Sequence, residues 1–253
     1  MAGSQAPGYM IRVRALTQIP EYAEAVRLQK IIWGFDEIEL LPVRLFVTAT
    51  KAGGQAFGAF DAKRMIGFCL SIPGIKPGAK SYLHSHMLGV LDEYRNAGVG
   101  RLLKLEQRKD ALSRGIELIE WTFDPLEVKN AYFNMERLGA VVRRFVLNQY
   151  GTTSSHLHGG LPTDRCIAEW WLSAPRVAAI IAGRPPERPP VKARISVPSD
   201  IYAIKENDPR RAREIQMRVS DQFLDHFSKG LAVVGFERTP EAGHYLLGTW
   251  EFK

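Results

Sequence analysis

Two groups of residues in this chain could do chemistry. The first is the turn Arg95-Asn96-Ala97-Gly98-Val99-Gly100-Arg101, which leads into a run where Val99, Leu102 and Leu103 recur at helical spacing as far as Gly115. Two glycines in the first turn of a helix cost about 0.5–1 kcal/mol each against alanine, so helix formation alone does not explain them. Amides at a helix N-terminus lack intrahelical partners, the macrodipole adds roughly half a positive charge, and glycine lets an anion reach the backbone. With Arg95 and Arg101 beside it, the turn predicts a phosphate site. The second group is His84 and His86, in a run to Val90 with no helical period. In a strand these two share a face with Leu88 and Val90, while Leu83, Ser85, Met87 and Gly89 share the other. An imidazole with an ordinary pKa of about 6.5 suits proton transfer near neutrality, and same-face histidines also suit metal sharing or plain hydrogen bonding within the strand. His156 and His158 form a second such pair. No Cys or Glu flanks either pair at a metal-ligand spacing, so no metal is expected.

The elements that must position these groups can be read along the chain. Residues 1–9 read as a disordered tail. Ile11 to Leu16 alternates as a strand, Glu21 to Trp33 is an amphipathic helix, and a second helix runs from Pro42 to about Thr50. Asp36, Glu37 and Glu39 lie between the helices. Gln55 to Phe60 and Met65 to Ile72 form a hairpin, Pro73 to Ala79 a loop, and Tyr82 to Val90 the strand that enters the turn. After the helix come a strand from Ile116 to Phe123, a helix closing at Gly139, a strand from Ala140 to Leu147, a polar loop from Asn148 to Arg165 and a strand from Cys166 to Leu172. Ser173 to Pro198, with six prolines, reads as a semi-rigid connection. Asp200 to Ile204 then reads as a strand, Asp208-Pro209 opens a helix ending at Gly230, and Leu231 to Phe236 with His244 to Phe252 form a last hairpin.

Composition narrows the class. A chain of 253 residues, 45% hydrophobic and 24% charged, has ample core for one large or two modest domains. No apolar run reaches the roughly 18 residues needed to span a bilayer, and the N-terminus has no leader-like pattern, so a soluble cytoplasmic protein without a membrane partner is expected. Cys69 and Cys166 sit in apolar runs and read as buried reduced thiols. A net charge of +7 suits an anionic ligand. The arginines are scattered, with only Arg210-Arg211-x-Arg213 clustered and no aromatic interleaving, which argues against a nucleic-acid partner.

The strand, the turn from Arg95 to Gly100 with Val90 and Tyr94 before it, and the helix with Leu102 and Leu103 after it resemble the acyl-CoA pyrophosphate loop of the GNAT acetyltransferase superfamily, whose pattern is R/Q-x-x-G-x-G/A. The later Ala131, Glu136, Arg137, Leu138 and Gly139 resemble the family's A-x-x-x-Y-E-K-L-G-F ending. The likeness spans about Met10 to Leu172 and is closest to an uncharacterised bacterial branch. It implies an α/β fold (mixed α+β) with a GNAT-type central mixed sheet flanked by helices. The resulting division is a tail at 1–9, an acyltransferase domain at 10–172, a Pro-rich linker at 173–198 and a small C-terminal α+β subdomain at 199–253.

The activity implied is transfer of an acetyl or succinyl group from acetyl-CoA or another acyl-CoA to the amine of a small molecule, such as an amino acid. The resemblance sets the backbone of Leu88, Gly89 and Val90 against the pantetheine arm and Arg95, Asn96, Ala97, Gly98, Val99, Gly100 and Arg101 around the pyrophosphate, and it counts Asn130 and Phe133 among the cofactor-contacting positions. It puts His84 where one branch keeps its glutamate base, with His86 one pleat nearer the loop and Glu120 as an alternative. Asp36, Glu37 and Glu39 border the acceptor side, and Arg143, Arg144 or Arg165 could meet a substrate carboxylate. Met135 stands where the family's usual tyrosine donor would be, and Val128 where an asparagine usually contacts the cofactor. Asn130, Asn134 and Tyr132 are the candidate replacements. Those departures keep a second function open, a non-catalytic CoA-binding sensor or interaction protein. Many superfamily members form homodimers.

Overall fold

A computed structural model describes residues 10–151 and 160–251. The described residues divide into two compact units, one made of 10–79 with 83–115 and the other of 80–82 with 116–151 and 160–251.

The first unit holds strands β1 (Ile11–Ala15), β2 (Gln55–Asp61), β3 (Arg64–Lys76) and most of β4 (Lys80–Val90), lying in that order, with β1–β2 and β2–β3 antiparallel. Its helices are α1 (Ile19–Trp33), α2 (Val43–Lys51) and α3 (Val99–Ser113). β2 and most of β3 are buried on both faces, as near-continuous apolar runs require. α1 starts where Glu21 accepts the amides of Thr17 and Gln18 at 2.8 and 3.2 Å, and it ends at Gly34, which is left-handed at φ 66°. Its buried face, Tyr22, Ala25, Leu28, Gln29 and Ile32, packs into a core with Phe46, Phe68, Ile66 and Leu103. Buried Gln29 donates to the Leu41 carbonyl at 3.1 Å and accepts from the Leu41 amide at 2.9 Å, tying down the acidic segment that follows α1.

The second unit holds β5 (Leu118–Phe123), β6 (Val141–Val146), β7 (Arg165–Trp171), β8 (Ala193–Pro198), β9 (Leu231–Arg238) and β10 (Ala242–Thr249), ordered β5-β7-β6-β9-β10-β8 with antiparallel neighbours. α4 (Val128–Tyr132) continues into a wider π-helical stretch, Phe133–Leu138, that ends at left-handed Gly139. α5 (Pro175–Ile181), α6 (Ile201–Asn207) and α7 (Pro209–Ser228) complete it.

Three expectations change here. Asp200 to Ile204 is not a strand: Ile201, Ile204 and Lys205 are buried at helical spacing and form one face of α6. The stretch from Ser173 to Pro198 is more than a connection, because it contains α5 and then β8, whose buried Ile195 and Val197 alternate with exposed neighbours. β3 runs on through Pro73 to Lys76, which shortens the expected loop to a turn at Gly78 and Ala79. β5, β7 and the described residues from Ser173 to Trp250 fall in the same compact unit. His156 and His158 lie outside the described residues, as do residues 1–9.

Arg176 explains much of that cohesion. It is 6% exposed and donates to the carbonyls of Gly139 at 3.0 Å, Val234 at 2.6 Å and Met135 at 3.3 Å, joining the end of the π-helical stretch to β9. Removing it strands three carbonyls away from water. Arg176→Met is therefore expected to destabilise the protein by about 2–4 kcal/mol in chemical denaturation.

Candidate active site

The predicted phosphate turn has the backbone such a site needs. Leu91 bonds back to β3 through its amide and the Ile66 carbonyl at 2.9 Å, and buried Tyr94 fixes the turn's entry by donating to Asp61 at 2.9 Å. Asn96 and Gly98 both take positive φ, 65° and 82°, so the chain reverses twice before α3 begins. A Cβ built on Gly98 would meet nothing within 4 Å, and Arg95 to Gly98 are all exposed. The N-terminus of a 15-residue helix thus opens onto a bare, reachable backbone. Val99 is buried and anchors the first turn. Arg95 is paired with Asp92 at 2.7 Å, an exposed pair worth at most about 1 kcal/mol, so a phosphate competes for it on good terms.

Before the turn, β4 carries the histidines side by side, with ring centroids 5.9 Å apart. Burial pushes the His84 pKa down to about 4, with help from neighbouring His86 and Lys104. Burial also lowers that of His86. At neutral pH both rings are uncharged and able to accept a proton. Leu88 and Val90 are half-buried against the core. Gly89 has a structural reason for being glycine: a Cβ there would stand 2.7 Å from the Trp33 ring and 2.8 Å from Ile32. The end of α1 therefore rests directly on the strand, where Trp33 stacks on Phe35 at 5.7 Å.

The opposite face of β4 meets a polar network absent from the sequence reading. Lys104 donates to Ser85 Oγ at 2.8 Å, Ser85 donates to Gln107 Oε1 at 3.2 Å, and Gln107 donates to Ser71 at 2.6 Å. Ser71 donates to Gln55 at 3.1 Å, and Gln55 donates to Asp110 at 2.7 Å. One helix is laced in this way to β2, β3 and β4. The signal was present in the sequence, because Lys104 follows Gly100 by four and precedes Gln107 and Ala111 on the stripe begun by Val99 and Leu103. Burial drives the Lys104 pKa down to about 7, opposed by the adjacent Cys69, whose own pKa burial raises to about 12. An unfolded lysine keeps its proton up to about pH 10.5, so the unfolded state binds more protons between pH 7 and 10.5 and stability rises with pH across that window. Lys104→Met is expected to raise stability at pH 7 by on the order of a few kcal/mol, a gain that fades toward pH 10 in denaturation measured at both values.

The remaining candidates belong to the second unit. Glu120, buried on β5, is ion-paired with Arg144, and buried Glu169 takes Arg143 at 2.6 Å and Arg144 at 3.2 Å. These pairs engage the Glu120 carboxylate and the Arg143 and Arg144 guanidinium groups within the sheet. Arg165 is buried, donates to the Asp164 carbonyl and stacks over Tyr150. Asn130 is exposed on α4 and Phe133 half-buried where the π-helical stretch begins. Met135 is fully buried and Val128 nearly so. Tyr132 lies under Arg238, 3.8 Å from ring centroid to guanidinium carbon. Asn134 accepts from Trp121 Nε1 at 3.2 Å, and its own Nδ2 has no hydrogen-bond partner among the described residues. Among the described residues no three His, Cys, Asp or Glu side chains gather as a metal site, and no helix is long and apolar enough to cross a membrane.

No family model and no curated protein matches this sequence. Solved structures do match its fold. An acetyltransferase assigned to the GNAT family from Desulfovibrio desulfuricans superimposes with a TM-score of 0.52 at 16% identity, over 64% of this chain and 99% of its own. The ribosomal-protein-S18-alanine N-acetyltransferase of Escherichia coli gives 0.51 at 15% identity, covering 65% and 96%. The NatC complex bound to Gag peptide and CoA gives 0.51 at 16% identity, covering 64% and 98%.

Proposed function

We propose, from the premise that this chain has the GNAT acetyltransferase fold, that it is an acyl-CoA-dependent N-acyltransferase acting on the amine of a small molecule. The observation that carries the reading is the β4–turn–α3 segment, with two positive-φ residues, open space over Gly98 and the amides of a long helix behind them. The fold's relatives include a CoA-bound structure, which supports acyl-CoA as the ligand of that turn. By this reading the working part spans 10–172, and 199–253 is an addition to it.

When bound, acyl-CoA supplies a carbonyl activated as a thioester. The residues of the turn hold its phosphates: the amides of Val99 and Gly100 donate, and Arg95 and Arg101 neutralise charge. The backbone of Leu88 to Val90 aligns the arm. His84 or His86 takes the proton that the ammonium of the acceptor must lose before its nitrogen forms the new C–N bond, and the C–S bond then breaks to leave the thiol of CoA. Asp36, Glu37 and Glu39 suit an acceptor that arrives as a cation, an amino acid or related amine among them. The turn serves an acetyl or a succinyl donor alike, because it contacts only the nucleotide end.

Met135 favours a second reading, a CoA-binding sensor or interaction protein without catalysis. A buried thioether in the place of the family's tyrosine donates no proton to a departing thiolate. One experiment separates the two. Thermal-shift titration with acetyl-CoA, succinyl-CoA and free CoA tests the site, where ligand at 100 times its Kd adds about 2.7 kcal/mol. Thiol release with a panel of amines then tests transfer. Stabilisation with release supports the enzyme, stabilisation without release supports the sensor, and no stabilisation defeats both.

A further inference from the structure

The helix α7 has two unlike faces. One, with Ala212, Ile215, Gln216, Val219, Ser220 and Phe223, is buried, and the Phe223 ring lies 5.1 Å from that of Phe145 on β6 and 5.0 Å from that of Tyr245 on β10. The other is exposed, and its charges are sorted by position. Arg210, Arg211 and Arg213 come first and Asp221 and Asp225 last, while Met217 in the middle and Leu224 beside Asp225 are 59% and 41% exposed. This order opposes the helix's own macrodipole, which favours carboxylates at the start and cations at the end. Asp208 caps the helix by accepting the Arg211 amide at 3.0 Å, but no acidic residue follows in the first turn. The pattern is also symmetric about Met217: Arg213 stands four residues before it and Asp221 four after, Arg210 seven before and Asp225 eight after. At helical spacing Arg210, Arg213, Met217, Asp221, Leu224 and Asp225 occupy roughly a third of the circumference, opposite the buried stripe. We propose that this face binds a second copy of the chain, α7 against α7 in antiparallel pairing about a two-fold axis at Met217. The proposal stands apart from the acyltransferase reading.

In that pairing the basic half of each helix lies along the acidic half of the other. Arg213 meets the partner's Asp221, Arg210 meets the partner's Asp225, Met217 meets its own counterpart, and the two-fold axis makes each charged contact twice. Antiparallel helices also set their macrodipoles against each other, which offsets a placement of charge that is unfavourable in one chain alone. Glu214, the one carboxylate among the arginines, is engaged by Arg210 at 3.2 Å, and Asp225 is engaged by Lys229 at 2.6 Å. Both are exposed pairs within the helix, of a kind worth little in water, so an arginine of the partner exchanges for them readily. A nucleic acid or an anionic membrane would match the arginines but be repelled by Asp221 and Asp225, which favours a second copy over a polyanion. A helix of 20 residues offers about 30 Å of contact with only two apolar side chains, so the association is expected to be weak, led by charge and sensitive to salt.

The test is sedimentation of the full chain over a range of concentrations at low and high salt. It compares wild type, the double variant Arg210→Glu with Arg213→Glu, the double variant Asp221→Arg with Asp225→Arg, and an equal mixture of the two variants. Wild type should dimerise and dissociate as salt rises. Each variant alone sets like charges against each other at four places and should associate at least about 100-fold more weakly, while the mixture should recover a dimer of one chain of each kind. Melting curves at dilute protein check folding, and neither variant should melt below wild type, because both substitutions bring the helix into line with its dipole. A wild type that stays monomeric at about 0.5 mM protein in low salt overturns the proposal. So do variants that dimerise like wild type, which would place the contact on another face, and a mixture that stays monomeric. The register is tested by oxidation, since Cys69 and Cys166 are both buried. Met217→Cys should cross-link two chains, whereas Ser228→Cys, about 16 Å along the helix from the axis, should not. Equal cross-linking at both positions, or none at Met217→Cys, overturns the antiparallel pairing.

Discussion

Gly100→Glu is expected to abolish the stabilisation by acyl-CoA while leaving the unliganded protein as stable as before or slightly more so. The two effects have opposite signs for separate reasons. In the free protein, glutamate replaces glycine inside a helix, a gain of about 0.5–0.8 kcal/mol, and a carboxylate in the first turn adds roughly 0.3–1 kcal/mol through the dipole. For a chain of this size that amounts to a few degrees in Tm at most. In the complex, the same carboxylate stands where a phosphate must approach, and two unit charges about 4 Å apart repel by about 4 kcal/mol near a protein surface, roughly a thousandfold in affinity. Gly98 is a less suitable position, because its φ of 82° strains any side chain and would mix lost folding with lost binding. Titration of the variant with acetyl-CoA checks the expectation. A wild-type-sized shift would show that the anion does not bind at the start of α3.

The second large effect concerns His84. His84→Ala should lower kcat by 10²–10⁴-fold with KM for acyl-CoA close to wild type, since the imidazole sits on the strand before the phosphate turn and not in it. The pH dependence follows from its depressed pKa. A ring that titrates at about 4 is neutral throughout the physiological range, so in wild type the fall of kcat/KM between pH 9 and 6 should follow ionisation of the acceptor amine and change when the amine is changed. Stability carries the same signature. The folded pKa lies below the unfolded value near 6.5, so the unfolded state takes up the proton first and stability from this group is lost as pH falls from about 6.5 through 4. His84→Ala should flatten that acid slope. A variant with full activity and an unchanged slope would remove His84 from the mechanism.

The sequence made the phosphate turn legible because glycine spacing, flanking arginines and a change from strand to helical period all agreed at one place, and the turn adopts the backbone that those residues predict. Other parts were hidden for identifiable reasons. In Asp200 to Ile204 only a few residues separate helical from alternating spacing, and a short apolar run fits both. β8 was masked by the prolines around it, although Ile195 and Val197 alternate. Glu120, Arg143 and Arg144 read separately as a base and two carboxylate binders, and the pairing of Arg144 with Glu120 and of both arginines with Glu169 comes from strand register across β5, β7 and β6, which local spacing does not encode. Lys104 was hidden by its own charge, since a lysine is ordinarily assigned to the solvent face of a helix.

The ties made by β9 have a practical consequence for anyone dividing this gene. β9 pairs on β6, its Phe236 amide donates to Glu136 at 2.8 Å, Glu136 is ion-paired with Arg188, and the prolines at 189 and 190 lie against Gly248 of β10. A fragment ending near Leu172 would lose the cover of β6, leave half-buried Glu136 without its partners and present an open strand edge. It should aggregate on expression, and limited proteolysis of the intact protein should not release it. The stretch from Ser173 to Pro198 carries α5, Arg188 and β8, so domain transplantation or tag insertion there is a poor choice.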